Sequence, residues 1–237
     1  MRPGDDLAAL VAAACPADLS AGDVLVVTSK VVSKAEGRVV RLADVRPGEE
    51  ALRLARQAGR EDVRLVQVVL DEAERVLRAK RGVLIVETRH GFVCANAGVD
   101  RSNLPDGGRA LLLPEDPDAS ARALRAGIEA ARGVRPAVVV SDSFGRAWRL
   151  GQVDVAIGAA GLAVLEDWRG LPDAHGRELR ATVLAVADAV AGAADLARRK
   201  DAGEPVVLVR GLERLVIADD GPGAAALRRP RGEDLFR

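Results

Sequence analysis

Residues 138–149 (VVVSDSFGRAWR) are the most informative part of the sequence, because a β-branched apolar run passes there into a polar segment. The run from Pro136 to Val140 has the length and composition of a buried central strand. A second strand is predicted at residues 153–158 (VDVAIG). We therefore expect a polar loop between two strands, with Asp142 and Ser143 at the carboxyl end of the first.

Two kinds of ligand suit this loop. Carboxylate and hydroxyl oxygens, here those of Asp142 and Ser143, are the donors that Mg²⁺ or Mn²⁺ prefers. The guanidinium groups of Arg146 and Arg149 can bind phosphate or carboxylate through paired hydrogen bonds. The working hypothesis is a metal–phosphate site, although the spacing alone supports equally well an Asx-turn at Asp142 beside two solvated arginines.

Composition excludes several classes of protein. The 237 residues include 35 Lys and Arg and 35 Asp and Glu, so no net charge attracts nucleic acid or an anionic membrane. Aromatic residues make up only 2%, which also argues against a nucleic-acid surface. Two cysteines are too few for a disulfide framework and fit a reducing cytoplasm. The polar N-terminus is no signal peptide, and no apolar run approaches the roughly 20 residues that span a bilayer.

The pattern of apolar residues predicts both strands and helices. Strands are expected at Val24–Val27, Val83–Val86, Phe92–Ala95, Leu162–Leu165 and Pro205–Val209. Helices are expected near residues 7–14, 49–59, from 62 to 76, from 117 to 131 and from 179 to 198. Asp188 lies off the apolar stripe of the last helix and is predicted to be exposed. Asp116 and Asp118 are interpreted as helix-start residues and not as metal ligands.

Residues 28–38 (TSKVVSKAEGR) follow the first of these strands. Lysines at the carboxyl edge of a strand can reach phosphate oxygens, which would give Lys30 and Lys34 a ligand. A hairpin whose lysines protect an edge strand from pairing is the alternative. Taken alone, the stretch favours the hairpin.

Residues 96–103 (NAGVDRSN) follow another strand and offer Asp100 as a second candidate cation ligand. Mg²⁺ held by one or two carboxylates and nucleotide phosphates is the usual arrangement in phosphoryl-transfer sites. An Asx-rich loop is the simpler interpretation. Cys94, in the preceding strand, is predicted to be a small buried hydrophobe and not a nucleophile. Neither a Walker A motif nor GxGxxG is present, so a nucleotide would bind by another scheme.

Together these loops resemble the coenzyme F420-0:L-glutamate ligase (F420 gamma-glutamyl ligase) family. The resemblance rests on residues 29–38, residues 94–103, and residues 141–146 with Gly151-Gln152. It continues in Leu111–Pro114 with Asp116-Pro117-Asp118, and in Gly176–Leu179. The motifs are long, stand in the right order and cover nearly the whole chain.

The resemblance implies a function, a fold and a set of ligands. Members of the family join L-glutamate through its amine to a carboxylate of the F420-0 lactyl side chain, and then add γ-linked glutamates. GTP drives the reaction, Mg²⁺ or Mn²⁺ is required, and a monovalent cation, K⁺, helps. Because a carboxylate is a poor acylating agent, we expect the reaction to pass through an acyl phosphate. The implied fold is α/β (mixed α+β), with mixed sheets and flanking helices, and the implied assembly is a homodimer.

The resemblance also implies roles for particular residues, and it identifies no general base. The expected metal ligands are Asp100, Asp142 and Ser143, and the expected nucleotide contacts are Ser29, Lys30, Lys34 and Asn103. Arg146 and Arg149 remain candidates for phosphate or substrate contacts.

One domain is expected over residues 1–237, with residues 228–237 as a tail or linker. In two-domain relatives, a similar segment leads into a flavin-binding nitroreductase-like domain. The N-terminal strand and Gly-Leu-Pro loop of relatives are expected to be missing here. Two alternatives follow: a gamma-glutamyl ligase for another acid acceptor, and a non-catalytic homologue that has lost nucleotide binding.

Overall fold

The computed structural model describes residues 1–102, 107–199 and 201–236, which form a mixed α/β fold with several small sheets. The α-helices are α1 (Leu7–Ala14), α2 (Ser29–Ala35), α3 (Glu49–Ala58), α4 (Val63–Asp71), α5 (Pro117–Arg132) and α6 (Val186–Ala197). The strands are β1 (Val24–Thr28), β2 (Val39–Arg41), β3 (Ala73–Lys80), β4 (Val83–Thr88), β5 (Val93–Ala95), β6 (Arg109–Leu111), β7 (Ala137–Arg146), β8 (Arg149–Ala160), β9 (Leu165–Asp167), β10 (Val183–Ala185) and β11 (Val206–Val209). Within those residues, every helix is too short or too polar to cross a membrane.

The chain divides into two compact units, and each unit is assembled from separate segments. The first unit contains Met1–Asp6, Ser29–Asp116 and Asp142–Val153. The second unit contains Leu7–Thr28, Pro117–Ser141 and Asp154–Arg237.

The second unit is built on a four-stranded sheet in the order β11-β1-β7-β8. β1 runs parallel to β7 and antiparallel to β11. Val24 and Val26 of β1 and Val139 of β7 are completely buried in a core that also contains the inner face of α6. The β-branched runs form central strands because side chains branched at Cβ are restricted about χ1 and pack well on a pleated surface.

The first unit contains the antiparallel sheet β3-β4-β5 and the two-stranded pair β2-β6. The apolar faces of α3 and α4 pack with Leu84 and Val86 of β4 in a second core. Asp62 caps α4 by accepting a hydrogen bond from the Leu65 N–H, and Gly59 ends α3 in the left-handed conformation. These caps satisfy backbone groups that the helices leave without partners.

Most of the predicted strands and helix starts are confirmed. The hairpin favoured for residues 28–38 is wrong, because residues 29–35 form α2. Ser29, Val32 and Ser33 are buried on one face of this helix, at the spacing of one helical turn. The predicted polar loop after Val140 is also wrong. β7 continues through Asp142 and Ser143 to Arg146, because β8 pairs alongside it.

Two predicted helices are shorter than expected. The helix that follows Asp62 ends at Asp71, and Ala73 and Val76 belong to β3, because backbone pairing with β4 takes over there. The last helix begins at Val186, since Val183–Ala185 pairs with β9 instead.

Two smaller expectations also fail in this region. The strand predicted at Leu162–Leu165 begins only at Leu165, as β9. Asp188, predicted to be exposed, is half-buried and accepts a hydrogen bond from the Ala156 N–H.

Candidate functional site

The candidate site begins where β1 ends beside the parallel strand β7, which continues to Arg146. Thr28, the last residue of β1, lies opposite Ser141 of β7 in the parallel register. Ser29 follows Thr28 and Asp142 follows Ser141. The Ser29 hydroxyl donates a 2.7 Å hydrogen bond to the Asp142 Oδ1. The strand register therefore brings together two residues that are distant in sequence.

The following residue of α2 contacts the second candidate aspartate. The Lys30 Nζ lies 2.7 Å from the Asp100 Oδ2 and donates a 2.8 Å hydrogen bond to the Ser102 Oγ. Ser102 binds Asp100 twice, through its backbone N–H to Oδ1 at 2.9 Å and through its hydroxyl to Oδ2 at 2.7 Å. The first turn of α2 thus contacts both candidate metal-binding carboxylates.

The environment keeps Asp100 ionised. Burial acts to raise the pKa of the Asp100 carboxyl, but hydrogen bonds from Lys30 and Ser102 outweigh it and hold that pKa below its usual range. Hydrogen bonds to the charged form of an acid favour that form. The carboxylate is therefore available at neutral pH as an anionic oxygen donor.

A tight left-handed turn positions Asp100. Asn96, Ala97 and Gly98 have φ angles of 53°, 56° and 69°, a left-handed region that glycine and asparagine adopt readily but alanine does not. The Asn96 side chain holds the turn by accepting hydrogen bonds from Arg60 and from the Leu84 N–H. Beyond the turn, Asp100 exchanges two backbone hydrogen bonds with Leu111. The direction in which Asp100 leaves the backbone is thus fixed from both sides.

The side chains available fit a hard divalent cation. Within residues 1–102, 107–199 and 201–236, no three His, Cys, Asp or Glu side chains form a ready-made metal cage. Two carboxylates with the Ser143 hydroxyl are all-oxygen donors, and Mg²⁺ commonly takes only one or two carboxylates, water and substrate phosphates. The Asp100 and Asp142 carboxylates offer oxygen donors of this kind, and Ser143 follows Asp142 directly in β7.

The remaining predicted site residues are described by their place in the fold and not by contacts with Asp100 or Asp142. Lys34 lies half-buried one turn after Lys30 on α2. Arg146 donates a hydrogen bond to the Leu150 carbonyl within its own hairpin, and Arg149 is exposed at the start of β8. Asn103 lies outside the described residues.

Ser102 is the contact that the sequence prediction omitted from the site. Its hydroxyl joins Lys30 to Asp100, so it belongs to the same hydrogen-bonded group. The signal was present, because a serine two residues after an aspartate is typical of an Asx-turn.

Cys94 is buried, as predicted, and is unsuited to nucleophilic catalysis. Burial, together with the negative charge of Asp142, raises the pKa of the Cys94 thiol to about 12. The thiolate, which is the nucleophilic form, is therefore scarce at neutral pH.

Comparison with known proteins gives the family. The family model described as F420-0:Gamma-glutamyl ligase matches residues 1–211. The coenzyme F420:L-glutamate ligase of Methanopyrus kandleri is 46% identical over 239 residues, covering 100% of this chain and 93% of that protein. The enzyme of the same name from Methanothermobacter thermautotrophicus is 43% identical over 99% of this chain and 93% of its own length. That of Haloarcula marismortui is 44% identical over 100% of this chain and 91% of its own length. Matches of this extent and identity show that the chain belongs to the F420-0:gamma-glutamyl ligase family.

Proposed function

We propose that this protein is a GTP-dependent ligase that joins L-glutamate to F420-0 in coenzyme F420 biosynthesis. The first amide forms at a carboxylate of the F420-0 lactyl side chain, and later glutamates are γ-linked. One observation carries the proposal: Ser29 and Lys30, the candidate nucleotide contacts, bind Asp142 and Asp100, the candidate metal ligands. These contacts support the proposal that nucleotide phosphates and a divalent cation bind next to each other within one unit.

The chemistry requires activation of a carboxylate. In the proposed first step, a carboxylate oxygen of F420-0 attacks the γ-phosphorus of GTP, the bond between the β- and γ-phosphates breaks, and GDP leaves. In the second step, the amine of glutamate attacks the carbonyl carbon of this acyl phosphate, inorganic phosphate leaves and the nitrogen loses a proton. Phosphoryl transfer of this kind depends on positioning and charge neutralisation more than on a protein nucleophile.

The side chains of the site have matching roles in this proposal. Asp100, Asp142 and Ser143 hold the divalent cation, while Lys30 and Lys34 donate to the phosphates. When bound, Mg²⁺ or Mn²⁺ neutralises charge on the transferred phosphoryl group. Asn103 adds a nucleotide contact, and Arg146 and Arg149 are proposed to bind anionic groups of phosphate or substrate.

The remaining parts of the proposal concern the cell and the assembly. We place the protein in the cytoplasm as a homodimer, with K⁺ as the assisting monovalent cation and with small-molecule substrates only. Nucleic acid and membranes are not proposed as partners, because the chain carries equal numbers of acidic and basic residues.

The decisive test is to incubate the purified protein with F420-0, L-glutamate, GTP and Mn²⁺ and to record product masses. We expect a ladder of glutamyl additions that Asp142→Ala abolishes. Asp167→Ala is the matched control, because Asp167 is an exposed aspartate that pairs with Arg169. Loss of the ladder in both variants, or its survival in Asp142→Ala, would remove the support for the proposed site.

Two other outcomes correspond to the alternatives. A rise in melting temperature with GTP and Mn²⁺, without a glutamyl product, would favour a gamma-glutamyl ligase for another acid, because a ligand that binds the native state stabilises it. The absence of both a product and a rise in melting temperature would favour a non-catalytic homologue.

A further inference from the structure

The Asp100 carboxylate already has a cation beside it. The Lys30 ammonium lies 2.7 Å from Oδ2, and Ser102 donates hydrogen bonds to both carboxylate oxygens. A divalent cation that binds this carboxylate would lie within a few ångströms of the ammonium. Like charges at that distance repel strongly, even with partial screening by solvent.

The Lys30 side chain has room to leave. The Lys30 side chain is 37% exposed and that of Asp100 is 31% exposed, so the pair lies at the surface of its unit. Lysine has a flexible four-carbon stem, and its ammonium is a point charge that can change partners without a fixed geometry. Asp142 accepts a hydrogen bond from the Ser29 hydroxyl, a neutral group that does not repel a cation.

We infer that Lys30 is an exchangeable counter-ion, which the divalent cation displaces from Asp100 so that the ammonium becomes available to a nucleotide phosphate. This inference rests on the proposed function. Binding of the cation and binding of the nucleotide are then linked through one side chain. Because such a coupling is reciprocal, each ligand strengthens the binding of the other.

The test is to measure Mn²⁺ binding to the full chain, without nucleotide, by titration calorimetry. We expect Lys30→Met to bind Mn²⁺ about tenfold more tightly than the wild type, since the competing charge is removed. In saturating Mn²⁺, the same variant should bind GDP about tenfold more weakly, since a charge-assisted phosphate contact is lost. A merely structural role for Lys30 would weaken both affinities, so the opposite signs are diagnostic.

Two further variants sharpen the result. Lys30→Arg keeps a cation at the same position and should bind Mn²⁺ like the wild type, whereas Asp100→Asn should lose this binding. The inference is overturned if Lys30→Met binds Mn²⁺ no more tightly than the wild type, if Lys30→Arg gains as much affinity, or if the wild type binds no Mn²⁺.

The ligase proposal can fail separately from this inference. Mn²⁺ binding needs neither F420-0 nor glutamate, so tighter binding by Lys30→Met without any glutamyl product would contradict the ligase reaction alone. A normal glutamyl ladder from the wild type, together with an unchanged Mn²⁺ affinity in Lys30→Met, would contradict the exchange alone.

Discussion

The Ser29 hydroxyl and the Asp142 Oδ1 are 2.7 Å apart, although 113 positions separate the two residues in the chain. Ser29 is the first residue of α2, and Ser33, one turn later, is buried on the same face. Among the described residues, the Ser33 hydroxyl has no hydrogen-bond partner. One helix face therefore carries a bonded and an unbonded serine, which provides an internal comparison.

Replacement of these two serines by alanine should have different effects. Ser29→Ala should lower the free energy of unfolding by about 0.5–1.5 kcal/mol, the usual net value of one hydrogen bond. Ser33→Ala should cost nothing or stabilise, because it removes a buried hydroxyl that lacks a partner. Urea denaturation of both variants measures the difference, and equal losses would contradict the assignment.

The buried ion pair in the second unit should contribute strongly to stability. Arg198 Nη1 lies 3.1 Å from Asp154 Oδ2, which also accepts a hydrogen bond from Ser141. Arg198→Met leaves the buried carboxylate without its cation and should cost about 3 kcal/mol of unfolding free energy. We expect this loss of unfolding free energy to lie at the low end of the range for buried ion pairs. Nε and Nη2 of Arg198 lack partners among the described residues, so the wild type already has unsatisfied buried groups that the substitution removes.

Arg199 is the matched control for this measurement. It follows Arg198 directly and pairs with Asp201 at the surface, where both side chains are largely exposed. Arg199→Met should leave the denaturation midpoint unchanged, because exposed ion pairs contribute little. A loss as large as that of Arg198→Met would show that burial is not the cause.

Asp188 should make stability depend on pH. Burial raises the pKa of the Asp188 carboxyl, although the hydrogen bond from the Ala156 N–H opposes the shift. The folded protein therefore binds this proton more tightly than the unfolded chain, and unfolding releases it. Stability contributed by Asp188 is present below the ordinary aspartate pKa of about 4 and is lost as pH rises through the raised folded-state pKa.

Asp188→Asn isolates this effect, since an amide oxygen can still accept the Ala156 N–H. The stability of the wild type relative to the variant should fall as pH rises from about 4, and then become constant. Denaturation of both proteins across this range measures it. A difference that is constant with pH, or that grows in favour of the wild type, would contradict the raised pKa.

Cys94 should resist alkylation. Its thiol is buried and has a pKa raised to about 12, whereas Cys15 is only partly buried. Iodoacetamide at mildly alkaline pH should therefore modify Cys15 first and reach Cys94 only after denaturation, as peptide mass spectrometry would show. Cys94→Ala should keep its ligase activity, and loss of activity in a folded variant would reopen a role for the thiol.

The sequence predicted the pieces of the site better than their local structure. Hydroxyl and lysine side chains after β1 pointed to a ligand or to a hairpin, and the hairpin was wrong. Residues 28–38 contain only three apolar side chains, Val31, Val32 and Ala35, which are too few for their spacing to decide between a hairpin and a helix. Burial of Ser29, Val32 and Ser33 on one face decided for the helix.

The contacts within the site could not be predicted from local pattern at all. The Ser29–Asp142 hydrogen bond depends on the register of β1 against β7, which aligns Thr28 with Ser141. A shift of one residue would separate the two side chains. Similarly, Val76 suited the apolar face of a helix or a strand equally well, and pairing of β3 with β4 selected the strand.

The sheet order β11-β1-β7-β8 has a consequence for synthesis on the ribosome. β1 ends at Thr28, but its first neighbour, β7, begins only at Ala137, and its second, β11, begins at Val206. The nascent chain therefore exposes an unpaired apolar strand throughout most of translation. Unpaired strand edges of this kind aggregate readily, and distant pairings form slowly. We expect the growing polypeptide to depend on chaperones until the final strand has emerged.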